Sequence, residues 1–508
     1  MKPFPARKEL RPLKGYFMRA FLCSALLAGS SLFSTVSPAA AQPVEAPKTL
    51  SAEEAAADLD QLYAGLRSAE ADLFKSTPRS VFDARFDELK DSFSGPVSLT
   101  RLHAVFQKFA ALARHSHTRI DSLNPGWTDH VSAGGLIFPL TFLVENGEVI
   151  VSGAPEGSGV EPGDRILSID GEPNPIWLSR VKAFVSAETP EFAYAQMVGG
   201  EPYFMWLAYG SKNQFSVGIE RGSASSTMVL DAIPIEAFSD LVTHVPGFSL
   251  EGRDARMLND SVAYLRPGPS FNLDAATPED SYAPEALAIY TAFIDAAFED
   301  FIARGADHLV LDLRDNPGGD NSYTDPVIAW FADKPFRFAS DFLIRVSPET
   351  IASNQSRLDA QQGDADNLSA KLAELYVDSE PGSLVSFDVP CVQPHAEPRF
   401  HGQVHVLVNR YSYSNAVTTT ALIQDYGFGT IYGETTRDMA TTFGAMEHFT
   451  LSHSGFSVGY PKARIIRPNG EKRLHPVTPD VTLQAPLFRG SQDVMLDALL
   501  ERLEARKK

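Results

Sequence analysis

The chain has 508 residues, 44% of them apolar and 21% charged, and a formal charge of −20 at neutral pH. That length exceeds what one hydrophobic core holds and implies two or three domains. The composition is ordinary for a soluble globular protein, and the acidic balance argues against nucleic acid or an anionic membrane as partner.

In chain order, Lys2, Arg7, Lys8, Arg11, Lys14 and Arg19 precede an apolar run from Ala20 to Val36, with small residues at Pro38-Ala39-Ala40-Ala41. This is the pattern of a secretory signal peptide over residues 1–41, and it predicts export to the periplasm or beyond the cell. Its removal takes away six basic residues and Glu9, a net +5, and leaves the rest near −25. Of two cysteines, Cys23 lies in that segment and Cys391 in the body, so no intramolecular disulfide is expected afterwards. The surroundings of Cys23 suit lipid attachment poorly, and no other stretch has the length of a membrane span, so no stable membrane anchor is expected.

Residues 42–123 predict a helical unit. Ser51 with Glu54 forms a capping box ahead of a helix through Leu66, a second helix runs over 80–92, and a third runs over 99–114. The third ends in Arg114-His115-Ser116-His117-Thr118-Arg119, where the two histidines admit three readings: a metal pair, complements to the helix dipole, or a general base. No His or Cys cluster of suitable spacing completes a metal site, so neither metal nor cofactor is expected.

From about 124 to 240 short strands and turns take over. Gly134-Gly135-Leu136-Ile137-Phe138, then Val149-Ile150-Val151, then the turn Pro162-Gly163-Asp164 into Ile166-Leu167-Ser168-Ile169-Asp170-Gly171 resemble a PDZ domain. Such a domain binds an extended peptide as an added strand and holds its terminal carboxylate on backbone amides. The resemblance implies that Gly134, Gly135, Leu136, Ile137 and Phe138 form that loop, and that a polypeptide substrate is recognised by its C-terminus.

A third region, 245–508, opens with a strand at Ser261–Leu265 and an amphipathic helix over 284–302. That helix feeds the apolar strand His308–Leu313, which stops at Arg314-Asp315-Asn316-Pro317-Gly318-Gly319-Asp320. Two glycines after a buried strand let the backbone turn its N–H groups outward and let a carbonyl approach, as an oxyanion site requires. Residues at about 340–400 read as an insertion, with helical charged stretches that could serve as a lid or as a solvated surface. The strand Val404–Val408 then leads through Asn409-Arg410-Tyr411-Ser412-Tyr413-Ser414 into a helix over Asn415–Tyr426. Ser414 sits at that strand-to-helix corner, where a hydroxyl is exposed beside free helix amides. The competing reading makes Ser412 and Ser414 helix caps only.

The run Asp312-Leu313-Arg314-Asp315-Asn316-Pro317-Gly318-Gly319, the Ser414-Asn415 corner, and His117-Thr118 together resemble the tail-specific, or C-terminal processing, serine proteases and their relatives in the tricorn core and the interphotoreceptor retinoid-binding proteins. The resemblance spans roughly 101–484. It implies a multidomain α+β protein: an N-terminal helical unit, a PDZ-like domain and a crotonase-like core of ββα units. It also implies Ser414 as nucleophile, with the oxyanion held by Gly318, Gly319 and Asn415. Where the Ser-Lys branch carries its lysine, Gly433-Glu434-Thr435-Thr436-Arg437-Asp438-Met439 offers a methionine, which accepts no proton. The base then falls to His117, with His115 as its rival. The stretch Arg464–Asp480 resembles the family's closing run, but Arg473 stands where that run has its glutamate. Glu471, two residues earlier on the same face of an expected strand, is the candidate orienter, with Glu434 and Glu447 as alternatives. The implied activity is peptide-bond hydrolysis through an acyl-enzyme. A non-catalytic ligand- or peptide-binding protein on the same fold is the alternative.

Overall fold

The computed structural model describes residues 49–242, 245–250, 252–275, 279–360, 368–488 and 490–505. The expected signal segment lies outside these.

The centre is a sheet with strand order Asp254–Met257, Val262–Arg266, His308–Asp312, Gln403–Val408, Thr430–Gly433 and Val481–Thr482. The first pair is antiparallel and the rest are parallel. Alternate residues of these strands face opposite layers. Ala263, Leu265, Leu309, Leu311, Val404 and Val406 pack under the helices Pro284–Ala303, Asn321–Ala329 and Asn415–Tyr426. Val262, Tyr264, Val310 and Leu407 pack against Leu496, Leu499 and Leu503 of the helix Val494–Ala505. Both faces are therefore covered, as a parallel sheet needs, and the carboxyl ends of the two central strands open beside each other.

A second sheet has the order Leu384–Ser386, Asp341–Arg345, Ser457–Ile466, Thr442–Thr450. Residues 340–400 are thus not a separate insertion. They supply two strands of this sheet, and Ser353 and Arg357 of the helix Pro348–Ala360 hydrogen-bond Glu447 of the strand Thr442–Thr450.

The N-terminal helices Ala52–Ala69, Arg79–Asp91 and Leu99–Ala110 begin where the sequence signals start them, the first with the Ser51–Glu54 capping box closed in both directions. Their core is shared with Leu451, Phe456, Val458 and Tyr460 of the second sheet. After the third helix the chain lays Arg119–Ile120 antiparallel onto Val458 and Gly459. This pairing fixes, by main-chain hydrogen bonds, where the preceding histidines stand.

The middle region is an antiparallel sheet with order Thr141–Glu145, Glu148–Gly153, Arg165–Ile169, Gln214–Arg221, Ala224–Asp231, its core filled by Phe138, Val151, Ile166, Trp177 and Phe215. The strand Thr141–Glu145 is an edge. The segment between the helices Asn174–Lys182 and Pro190–Met197, with the start of the second helix, faces the other two regions, Ala187 and Phe192 packing against Tyr411 and Tyr413.

Candidate active site

Two parallel strand ends build the site. After Val408, Asn409 uses its amide to tie the corner to the neighbouring strand: Nδ2 donates to Asp315 Oδ1 (2.8 Å) and Oδ1 accepts the Asp315 N–H (3.0 Å). Ser412 completes the stitch, its hydroxyl donating to Leu313 O at 2.8 Å, so this serine is structural. Ser414 follows at φ 51° and ψ −120°, a conformation that costs a non-glycine residue about 1–3 kcal/mol and persists only where surroundings impose it. They do so here: the Ser414 N–H donates to Asp438 Oδ2 (2.6 Å), and the Tyr413 N–H to Asn316 O (3.0 Å). The Ser414 side chain caps nothing, which removes the cap-only reading. Its hydroxyl is aimed elsewhere.

It is aimed at His117. Nε2 of that ring lies 3.3 Å from Ser414 Oγ, between residues 297 positions apart, and 3.2 Å from the Tyr413 hydroxyl, whose ring stacks on the imidazole at 5.3 Å. Nδ1 lies 3.4 Å from Ser116 Oγ. Burial first, and then the charge of Arg119, hold the His117 pKa down to about 3, so the ring is a neutral acceptor. His115 points away from Ser414. Its Nδ1 pairs with Glu70, whose other oxygen accepts from Thr118 (3.0 Å), and its ring stacks on Phe443 at 4.2 Å. Burial pulls the His115 pKa down, but the Glu70 charge and hydrogen bond prevail and the net shift is upward.

The Gly-Gly loop packs directly on the serine. A Cβ on Gly318, at φ +83°, would stand 2.9 Å from Ser414 Cβ and 2.7 Å from the Asn415 nitrogen; one on Gly319, at φ +132°, would overlap Ser270 O at 2.2 Å. Both positions therefore require glycine. The two amides differ in availability. The Gly318 N–H donates to Asn316 Oδ1 at 2.8 Å, which corrects the expectation that it is open to an oxyanion. Gly319 is exposed, and among the described hydrogen bonds neither its N–H nor that of Asn415 has an acceptor. Arg314 fixes the loop's base by binding Asp312 and Asp493.

The expected orienting acid is not there. Glu471 pairs with Arg473 at 2.8 Å in a turn: the strand ends at Ile466 and Gly470 donates back to Arg467, so the alternation that was to aim Glu471 at the site stops short of it. Glu434 is bound to Arg410, and Glu447 to Lys462 and Arg357. Two carboxylates that the motifs did not point to stand beside His117 and Ser414 instead. Asp438 spends one oxygen on Ser414 N–H and the other on Met439 N–H (2.7 Å); burial, then the nearby Glu188, push its pKa up to about 8. Glu188 accepts the Ser116 N–H at 3.1 Å and lies 3.4 Å from the Ser116 hydroxyl, its pKa raised by burial and drawn back by His115. Ser116 and Tyr413 flank the two predicted residues and were visible in that sense; Glu188 carries no local signal.

The middle region's Gly134–Phe138 loop does not present an open carboxylate cradle. The N–H groups of Gly134, Gly135 and Ile137 donate to Val131 O, His130 O and Ile233 O, and Ile137 and Phe138 are buried. The next edge amide, Phe142, donates to Glu201 Oε1 at 3.3 Å. Beyond it, a shallow cleft lies between the edge strand and the helix Pro190–Met197, with Arg410 and Arg437 in its wall. Among the described residues no cluster of three or more His, Cys, Asp or Glu could hold a metal ion, and no helix is long and apolar enough to cross a membrane.

A strained serine at a strand-helix corner, a neutral histidine on its hydroxyl and a glycine loop against it define the class of serine peptidases. Residues 285–483 match the model of Peptidase family S41. Among solved structures, mature CPAF is similar over 89% of this chain and 96% of its own, at 14% identity and a TM-score of 0.56. Mature CPAF complexed with lactacystin is similar over 90% and 98%, at 14% identity and a TM-score of 0.54. The photosystem II D1 C-terminal processing protease matches over 85% and 93%, at 17% identity and a TM-score of 0.39. At these identities the likeness is one of fold. No curated protein sequence matches the chain.

Proposed function

We propose that the chain is an exported endopeptidase that cleaves peptide bonds through an acyl-enzyme on Ser414, with His117 as general base, on a crotonase-like core preceded by a PDZ-like domain. The observation that carries this is the 3.3 Å approach of His117 Nε2 to a serine hydroxyl held in a strained corner. Nε2 takes the hydroxyl proton as Oγ attacks the carbonyl carbon, then returns it to the leaving amine; water reverses the sequence to release the acid. The amides of Gly319 and Asn415, with the N-terminus of the helix Asn415–Tyr426 behind them, receive the oxyanion.

A fluorophosphonate probe tests the assignment. It labels the wild type at Ser414, and both Ser414→Ala and His117→Ala abolish labelling; a wild type that resists the probe, or a Ser414→Ala variant that still reacts, leaves the non-catalytic binding protein as the better account. Export predicts that the mature protein begins after Ala41, read by N-terminal sequencing.

Substrate polypeptides are proposed to add along the edge strand Thr141–Glu145 and to be recognised by a free C-terminus. A free C-terminus then binds more tightly than its amide; equal affinity for both, measured by calorimetry, would exclude C-terminal recognition.

A further inference from the structure

The base turn is gripped by the middle region. His115 and Ser186 exchange hydrogen bonds, the His115 N–H donating to Ser186 Oγ (3.0 Å) and that hydroxyl donating to His115 O (2.6 Å). Gln107 Nε2, one helix back, donates to Phe184 O at 2.7 Å. Two residues beyond Ser186, Glu188 meets both the N–H and the hydroxyl of Ser116. On the other side of the same segment, Phe192 lies 5.4 Å from the Tyr413 ring, next to the nucleophile.

Of the described carboxylates around this turn, the others are committed. Glu70 serves His115 and Thr118, Asp121 serves Arg119 and His448, and Asp438 serves two backbone amides. Among the described carboxylates, Glu188 directs an oxygen at the hydroxyl that lies beside Nδ1 of His117. Its second oxygen, Oε2, is sealed from solvent without a hydrogen-bond partner, although the residue as a whole is partly exposed. A buried oxygen left unpaired is costly unless the site uses the charge it helps to carry.

We propose that Glu188 is the acid of this site, a positioning residue that acts on His117 through the Ser116 hydroxyl, so that the middle region completes the hydrolytic machinery. The chain of hydrogen bonds runs one way: Nδ1–H of His117 donates to Ser116 Oγ, and that hydroxyl donates to Glu188 Oε1. It selects the tautomer that leaves the Nε2 lone pair facing Ser414. When Nε2 takes the serine proton, the imidazolium is stabilised by a carboxylate one hydroxyl away, and no proton leaves the ring on that side. The proposal rests on the hydrolase reading above.

The test measures the rate of fluorophosphonate labelling at Ser414 in the full-length protein, with thermal melting alongside. Glu188→Gln keeps the side-chain shape and removes the charge; labelling is expected to slow by about 10²-fold at an unchanged melting temperature, in line with losses on removing a triad orienter. Glu188→Asp, which retains the charge, is expected to recover at least about tenfold of that loss, which a purely structural role would not produce. Ser116→Ala provides a second route, expected to lose as much as Glu188→Gln and to lose nothing further when the two are combined. Wild-type labelling rates in Glu188→Gln, or additive losses in the double variant, would overturn the inference while Ser414 labelling upheld the hydrolase. Absence of labelling in the wild type would overturn both.

Discussion

Two imidazoles two residues apart live in opposite electrostatic regimes. His115 meets its carboxylate, Glu70, directly, at zero exposure on both side chains, and its affinity for a proton rises. His117 meets Glu188 only through the hydroxyl of Ser116, and its affinity for a proton falls, to a pKa of about 3. The difference is that a direct buried pair favours the protonated ring, which braces a fold but is the poorer proton acceptor. An interposed hydroxyl orients the ring without charging it beforehand, which is what a general base needs.

This contrast can be broken most severely at the rings themselves. His117→Ala should remove at least about 10³-fold of the labelling rate while leaving the melting temperature near that of the wild type. His115→Ala should do the reverse, lowering stability by about 3–5 kcal/mol because Glu70 is left as an uncompensated buried charge. A chemical denaturation series reads both, and a stable His115→Ala would show that the pair is not the brace described.

A smaller effect lies in pH. Because the folded His115 pKa is raised above the unfolded value of about 6.5, its contribution to stability is fully present below that value and is lost as pH rises through the folded one. Denaturant midpoints should fall between about pH 6 and the alkaline side of the folded pKa, and Glu70→Gln should flatten that slope. An equally steep slope in the variant would assign it to other groups. The smallest effect belongs to Glu471, whose pair with the largely exposed Arg473 is a surface contact. Glu471→Ala should leave both the labelling rate and the denaturant midpoint unchanged.

What the sequence revealed and what it hid divide along the range of the interactions. The corner at Ser414, the Gly318-Gly319 loop and the helix Asn415–Tyr426 follow from local alternation, turn chemistry and helix-start signals, so they were legible. The histidine needed a strand pairing between Ile120 and Val458 to arrive, and only the resemblance of His117-Thr118 to a known motif pointed to it. The acid failed for the same reason. Glu471 would face the site only if the strand ran past its end at Ile466, whereas Glu188 reaches Ser116 across 72 residues from another part of the fold, where no periodicity marks it. The residues at 340–400 look like an appendage because their partners, 457–466, follow more than a hundred positions later.

The strand Arg119–Ile120 anchors the His117 ring in the same body as Ser414, whereas Glu188 comes from the neighbouring body. If Glu188 acts as proposed, loosening the neighbour would dim the enzyme rather than dismantle it. Proteolytic output would be graded by how firmly that body sits, like a rheostat in series with an intact lamp.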